Sequence, residues 1–180
     1  MDIFVFPAKT APHEGRLVCA DLDFPCALGR GGIHSDKVEG DGTTPIGVFP
    51  LRRLLYRADR LSTPQTGLQA RALLPEDGWC DDPDDSAYNQ PVSLPYPGHC
   101  ETLWRDDHRY DLIVILGHND DPVEKGRGSA VFLHLAGHEG DGGLAPTEGC
   151  VALGLGDLLK ILERADGASR LIVGEARPGA

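Results

Sequence analysis

A thiol and an imidazole carry most of the chemistry this sequence can do. Cys150 sits in Thr147-Glu148-Gly149-Cys150-Val151, sixteen positions after His134, which ends the apolar run Ser129-Ala130-Val131-Phe132-Leu133-His134. An imidazole can take a thiol proton near neutral pH and give it back to a leaving amine. A strand and a return loop that join these two side chains would therefore supply the parts of a cysteine acyl-transfer site. Gly149 lets a carbonyl substrate approach the backbone, and the amides around Gly149 and Cys150 are candidate donors to a developing oxyanion. Thr147 places a hydroxyl at the edge of the same turn. Taken singly, a free Cys is commonly a small core residue and a strand-end His a carbonyl cap. The residues around the pair set it apart.

Short elements must position these groups. The 23 glycines and 14 prolines break the chain into segments typical of a β-rich fold with functional loops. Runs rich in Val, Ile, Leu and Phe predict strands over 2–6, 16–20, 25–29, 47–51, 111–116, 130–135 and 170–173, several of them apolar on both faces as buried strands are. Residues 157–165 predict a helix, with Leu158, Leu159, Ile161, Leu162 and Ala165 on one face and Gly167 as a stop. Residues 51–58 fit strand or helix. The Pro-, Asp- and Gly-dense stretch 75–98 reads as a long surface excursion, in which Trp79, Asp81, Asp82, Tyr88 and Asn89 are lid candidates. Length and 41% hydrophobic content fit one domain, 1–180.

A net charge of −11 repels polyanions and argues against a nucleic-acid partner. The apolar stretch Ile3-Phe4-Val5-Phe6 is too short for a signal-peptide core or a membrane span. The five cysteines, Cys19, Cys26, Cys80, Cys100 and Cys150, are an odd number in a domain too large to need disulfide staples, which favours free thiols in a reducing compartment. A cytoplasmic location is expected, or a periplasmic one if a leader has been removed. No metal and no cofactor is expected: His134 and His138 would need a helix to ligate zinc together, and Gly137 with the glycines after it predicts a loop.

Two motifs resemble the L,D-transpeptidase (YkuD-type) catalytic domain. Its pattern of a strand-end His, a spacer, then Ser/Thr-His-Gly-Cys-Ile/Val-Arg is similar to His134 and Thr147 to Val151, and its Gly-Asp-x-x-Thr-Pro-x-Gly-x-Phe block is similar to Gly40 to Phe49. With Gly126 to Ser129, the likeness runs over roughly residues 1 to 175. The resemblance implies a β-sandwich-like fold of mixed sheets with the nucleophile loop leading into a helix. It also implies attack on the bond between the third residue and the terminal D-Ala of a peptidoglycan stem peptide or muropeptide, through a thioester. By that likeness Cys150 is the nucleophile, His134 the base, Leu135 the carbonyl that orients the imidazole, and Gly149 part of the oxyanion region. Water as acceptor gives an L,D-carboxypeptidase in peptidoglycan recycling, the reading favoured here. An amine acceptor gives cross-links, and a third reading is a non-catalytic muropeptide-binding domain. Two positions depart from the pattern: Glu148 replaces a His and Ala152 replaces an Arg. Arg127, Arg30 and Lys37 are candidate replacements for the lost cation, Glu148 is a candidate contact for a substrate amine, and His118, at the end of a buried strand, is a further substrate-binding candidate.

Overall fold

Alternation of side chains with period two runs through the strands that dominate the regular structure, and the computed structural model describes residues 1–140 and 142–176. The strands are β1 (Asp2–Pro7), β2 (Glu14–Cys19), β3 (Leu22–Ala27), β4 (Ile33–His34), β5 (Thr44–Pro45), β6 (Gly47–Tyr56), β7 (Ala70–Ala72), β8 (Asp77–Cys80), β9 (Pro91–Ser93), β10 (Cys100–Thr102), β11 (Leu112–Leu116), β12 (Phe132–Leu135), β13 (Val151–Leu153) and β14 (Arg170–Val173). One helix, α1 (Leu155–Leu162), lies between β13 and β14. The protein is thus mainly β with mixed sheets.

The large sheet runs β11-β12-β13-β3-β2-β1-β14-β6-β7, and β11 also pairs with β6, so the sheet closes on itself with β7 as a side branch. Residues 51–58, open between two readings, continue β6 as far as Tyr56, because Leu51 to Tyr56 find antiparallel partners in β11. α1 begins two residues before the expected start, after Gly154, and ends at Leu162; Arg164 and Ala165 close with tighter i to i−3 bonds of 3.1 Å. Its apolar stripe, Leu158, Ile161 and Leu162, enters the main core.

Two cores explain why β11 and β12 are apolar on both faces. Leu112, Val114, Leu116, Leu133 and Leu135 point into the main core inside the closed sheet. Ile113, Ile115 and Phe132 point the other way, into a second core with Leu55, Leu73, Leu103, Tyr110 and Cys150. What covers that second face is a three-stranded sheet, β10-β8-β9. The stretch 75–98 is therefore more than a surface excursion: it supplies β8 and β9, buries Cys80, Tyr88 and Asn89, and packs Trp79 edge-on against Phe132 at 5.2 Å. The cleft described next opens beside this second core.

Candidate active site

Antiparallel and parallel pairing together fix the thiol and the imidazole. β12 and β13 run parallel with His134 opposite Ala152, so His134 and Cys150, two residues before Ala152, share one face. Both line a single cleft of about 480 Å3. Cys150 is 7% exposed and His134 5%. The sulfur accepts the Phe132 N–H at 3.3 Å and its own hydrogen goes to the Ala130 carbonyl at 3.2 Å. His134 Nδ1 lies 2.9 Å from the Leu135 carbonyl. A carbonyl can only accept, so Nδ1 carries the proton and Nε2 is left as the basic nitrogen. Tyr110 packs edge-to-face on the imidazole with centroids 5.1 Å apart.

The loop before Cys150 is clamped from both sides. Thr147 joins the end of the β3 segment, its N–H donating to Leu28 O and its carbonyl accepting from Arg30 N, each at 2.9 Å. Its hydroxyl donates to the Cys150 carbonyl at 2.7 Å and accepts the Gly149 N–H at 3.2 Å. Thr44, from the Gly-Asp-x-x-Thr-Pro block, accepts from Gly29 N at 2.8 Å and donates to the same Cys150 carbonyl at 3.3 Å. Gly149 has φ +144°, and a Cβ there would stand 2.8 Å from the Thr43 carbonyl oxygen, so only glycine fits between the two segments. Asp41 of the same block accepts from the Val38 and Thr43 amides at 2.8 Å each and pairs with the buried Lys37 ammonium.

A second scaffold holds the Ala130 carbonyl. Ala130 has φ +50°, a conformation non-glycine residues seldom adopt and one that persists where surrounding contacts impose it. Asn89 Oδ1 accepts the Ala130 N–H at 3.1 Å and the Trp79 indole N–H at 2.9 Å, while Nδ2 donates to the carbonyls of His118 and Asn119 at 3.0 and 2.7 Å. Tyr88 and Ser129 both donate to Glu39, and the Tyr88 oxygen accepts Gly128 N–H at 3.0 Å. Trp79, Tyr88 and Asn89, lid candidates in the sequence, are the supports beneath the loop.

Charged side chains of both signs line the cleft: Lys37, Arg105 and Arg109, with Glu39, Asp81, Glu101 and Glu148. Tyr110 donates to Glu101 at 2.7 Å. Arg105 is engaged by Asp107 and reaches Glu101 at 4.0 Å. Arg109 lies 3.6 Å from Asp107 and against Gly137, just beyond His134, where an added Cβ would meet its Nε at 2.9 Å. Glu101, Arg105, Arg109 and Tyr110 escaped the sequence reading. Their signal is topological: β11 runs antiparallel to β12, so residues preceding β11 stand beside the end of β12 where His134 lies.

His118 follows the opposite end of β11. Its Nε2 is 3.1 Å from the Arg127 carbonyl, and the ring helps line a separate cleft with Arg52, Arg53 and Trp79. Arg127 pairs with Asp36 and lies outside the lining of the thiol cleft. Glu148 stands on the rim, bound to Arg30. Ala152 is fully buried and brings no charge. Of the three cations put forward to replace the missing Arg, Lys37 alone lines the cleft.

Burial sets the protonation of the pair. It pushes the Cys150 thiol up to about 12, with the Glu101 charge adding to the effect and the Phe132 N–H and Lys37 opposing it. Burial also lowers His134 to about 4; its hydrogen bonds to the Leu135 and Arg109 carbonyls oppose the fall and the Arg109 and Arg105 charges add to it. The resting state near pH 7 is a neutral thiol and a neutral imidazole lining one cleft. Such a pair can pass a proton as the sulfur attacks a carbonyl, with no standing thiolate. Among the described residues, no group of His, Cys, Asp or Glu side chains is arranged to hold a metal ion, and no helix is long and apolar enough to cross a membrane.

No curated protein and no solved structure matches this chain. The YkuD L,D-transpeptidase catalytic domain matches it over residues 14–173, which take in β2 to β14, the helix, and both His134 and Cys150. The family acts on peptidoglycan, and by the extent of this match the chain belongs to the YkuD L,D-transpeptidase catalytic domain family.

Proposed function

We propose that the cleft releases the terminal D-Ala from peptidoglycan stem peptides by hydrolysis, as an L,D-carboxypeptidase, with Cys150 as nucleophile and His134 as base. The sulfur attacks the carbonyl carbon of the third residue as His134 Nε2 takes the thiol proton. The C–N bond then breaks, the proton passes to the leaving amine of D-Ala, and a thioester is left on Cys150. Water, deprotonated by the same nitrogen, attacks the thioester and returns the thiol with a free peptide carboxylate. In this reading Arg105 and Arg109, which line the cleft, receive the D-Ala carboxylate. The observation that carries the reading is a thiol and a tautomer-fixed imidazole lining one cleft.

Water is favoured as acceptor because five cysteines, an odd number in a chain too large to need disulfide staples, suit free thiols. That pattern suits a reducing, cytoplasmic setting, where soluble muropeptides are the stem peptides at hand. One observation favours an amine acceptor instead: Glu101, Asp81 and Glu148 would draw an ammonium into the cleft. Incubation with a sugar-free tetrapeptide, with and without a second stem peptide, separates these by mass spectrometry. Hydrolysis gives tripeptide and D-Ala under both conditions. Tripeptide replaced by a cross-linked product overturns the preference for water, and binding without product in either condition overturns the enzymatic reading.

A further inference from the structure

Lysine ammonium groups are seldom buried unless something holds them there, and Lys37 is 7% exposed at the wall of a catalytic cleft. Its stem lies along Gly128, where an added Cβ would meet Cγ at 2.9 Å, and its Nζ is 3.4 Å from the point a Cβ on Gly149 would occupy. The ammonium thus stands beside the turn that presents Cys150. The carboxylate that anchors it is itself fixed: Asp41 takes two backbone amides, and although burial alone would raise its carboxyl, Lys37 and those amides bring it down to about 2. The Gly149 N–H, an expected oxyanion donor, is engaged by the Thr147 hydroxyl. Position 152 offers no cation, Arg30 is bound to Glu148 and Arg127 to Asp36.

We propose that Lys37 is a catalytic residue, whose ammonium, aimed by Asp41, stabilises the negative charge that forms on the Cys150 sulfur and then on the carbonyl oxygen of the acyl donor. The inference rests on the reading of the cleft as a cysteine acyl-transfer centre. It also gives the Gly-Asp-x-x-Thr-Pro block a division of labour: Asp41 sets the cation and Thr44 sets the nucleophile backbone. Of the other ionisable groups around the sulfur, Glu101 acts against the thiolate, Tyr110 packs in the same core, and the neutral His134 lines the same cleft.

The test uses the full chain with Lys37→Met, Lys37→Arg and the double variant Lys37→Met/Asp41→Asn, the last removing the carboxylate that the single variant leaves unpaired. Two readouts are taken: D-Ala release from the tetrapeptide, and the rate of iodoacetamide alkylation of Cys150 against pH, followed on its own peptide by mass spectrometry. Loss of one preorganised donor predicts a kcat lower by about 100-fold in Lys37→Met with a much smaller change in KM. Alkylation of Cys150 at pH 7.5 should slow by roughly tenfold, the factor for one pKa unit, and Lys37→Arg should recover part of both losses. Either Met variant folded, with kcat and alkylation as in the wild type, overturns the proposal. If neither folds, the Lys37 side-chain 15N resonance of the wild type decides: a shift on alkylation of Cys150 supports it and no shift overturns it. A wild type that releases no D-Ala and yet alkylates in a Lys37-dependent way sinks the hydrolytic reading and keeps Lys37 beside a charged sulfur.

Discussion

Replacing Asn89 with alanine would remove the scaffold of the site while leaving the thiol and imidazole themselves in the sequence. Asn89 is 3% exposed and makes side-chain bonds with Trp79, Ala130, His118 and Asn119 at 2.7 to 3.1 Å. It also holds φ +56°, which asparagine adopts at lower cost than alanine. At roughly 1 kcal/mol for each of these bonds and about 1 kcal/mol for the left-handed backbone, the loss is on the order of 5 kcal/mol. A chain of this length loses about 2–4 °C per kcal/mol, so melting should fall by roughly 10–20 °C. Ala130 N–H loses its acceptor, and the Ala130 carbonyl that receives the Cys150 hydrogen is no longer fixed. Calorimetry gives the first quantity, and D-Ala release well below the melting transition gives the second. An Asn89→Ala protein that melts within about 3 °C of the wild type and turns over normally would refute the view that this residue braces the cleft.

Burial lowers His134 from 6.5 to about 4, which places the acid limb of kcat/KM near pH 4; a limb near the ordinary histidine value would contradict a buried neutral base. The same depression ties stability to pH. Between pH 6.5 and 4 the unfolded chain binds a proton that the folded one excludes, so stability falls with pH across that window by on the order of 3 kcal/mol. His134→Phe should flatten that segment in denaturant titrations. Gly149→Ala sets a methyl 2.8 Å from the Thr43 oxygen at φ +144°, and should abolish turnover and lower melting measurably; an active variant would mean the loop is looser than described. Glu101→Gln keeps an acceptor for Tyr110 and removes the anion that disfavours the thiolate, so Cys150 should alkylate several-fold faster; a slower rate would reverse the sign assigned to Glu101.

Local signals were legible where local physics decides. The apolar runs in 2–6 and 130–135 marked β1 and β12, and the stripe Leu158, Ile161, Leu162 marked α1. The thiol and imidazole stood out because Gly149 and the Thr-Pro block surround them with residues a plain core does not need. Register was not legible. Nothing in Leu112 to Leu116 says which end meets the imidazole, and the antiparallel pairing of β11 with β12 sets Tyr110 at His134 and carries His118 to the opposite end. The covering sheet was hidden for a related reason: its strands are three or four residues long, and Cys80, Tyr88 and Asn89 become buried only when β8 and β9 fold over Phe132. Lys37 was one of three candidate cations in the sequence, and only its burial and its pairing with Asp41 single it out from Arg30 and Arg127.

The central claim is that acyl transfer passes through Cys150 with His134 moving the proton. Rapid acid quench of the enzyme with tetrapeptide, followed by peptide mass spectrometry, tests it directly. The account predicts a tripeptidyl thioester on the Cys150 peptide that forms as D-Ala appears, none in Cys150→Ala, and far slower formation in His134→Ala. Release of D-Ala by Cys150→Ala at the wild-type rate would contradict it.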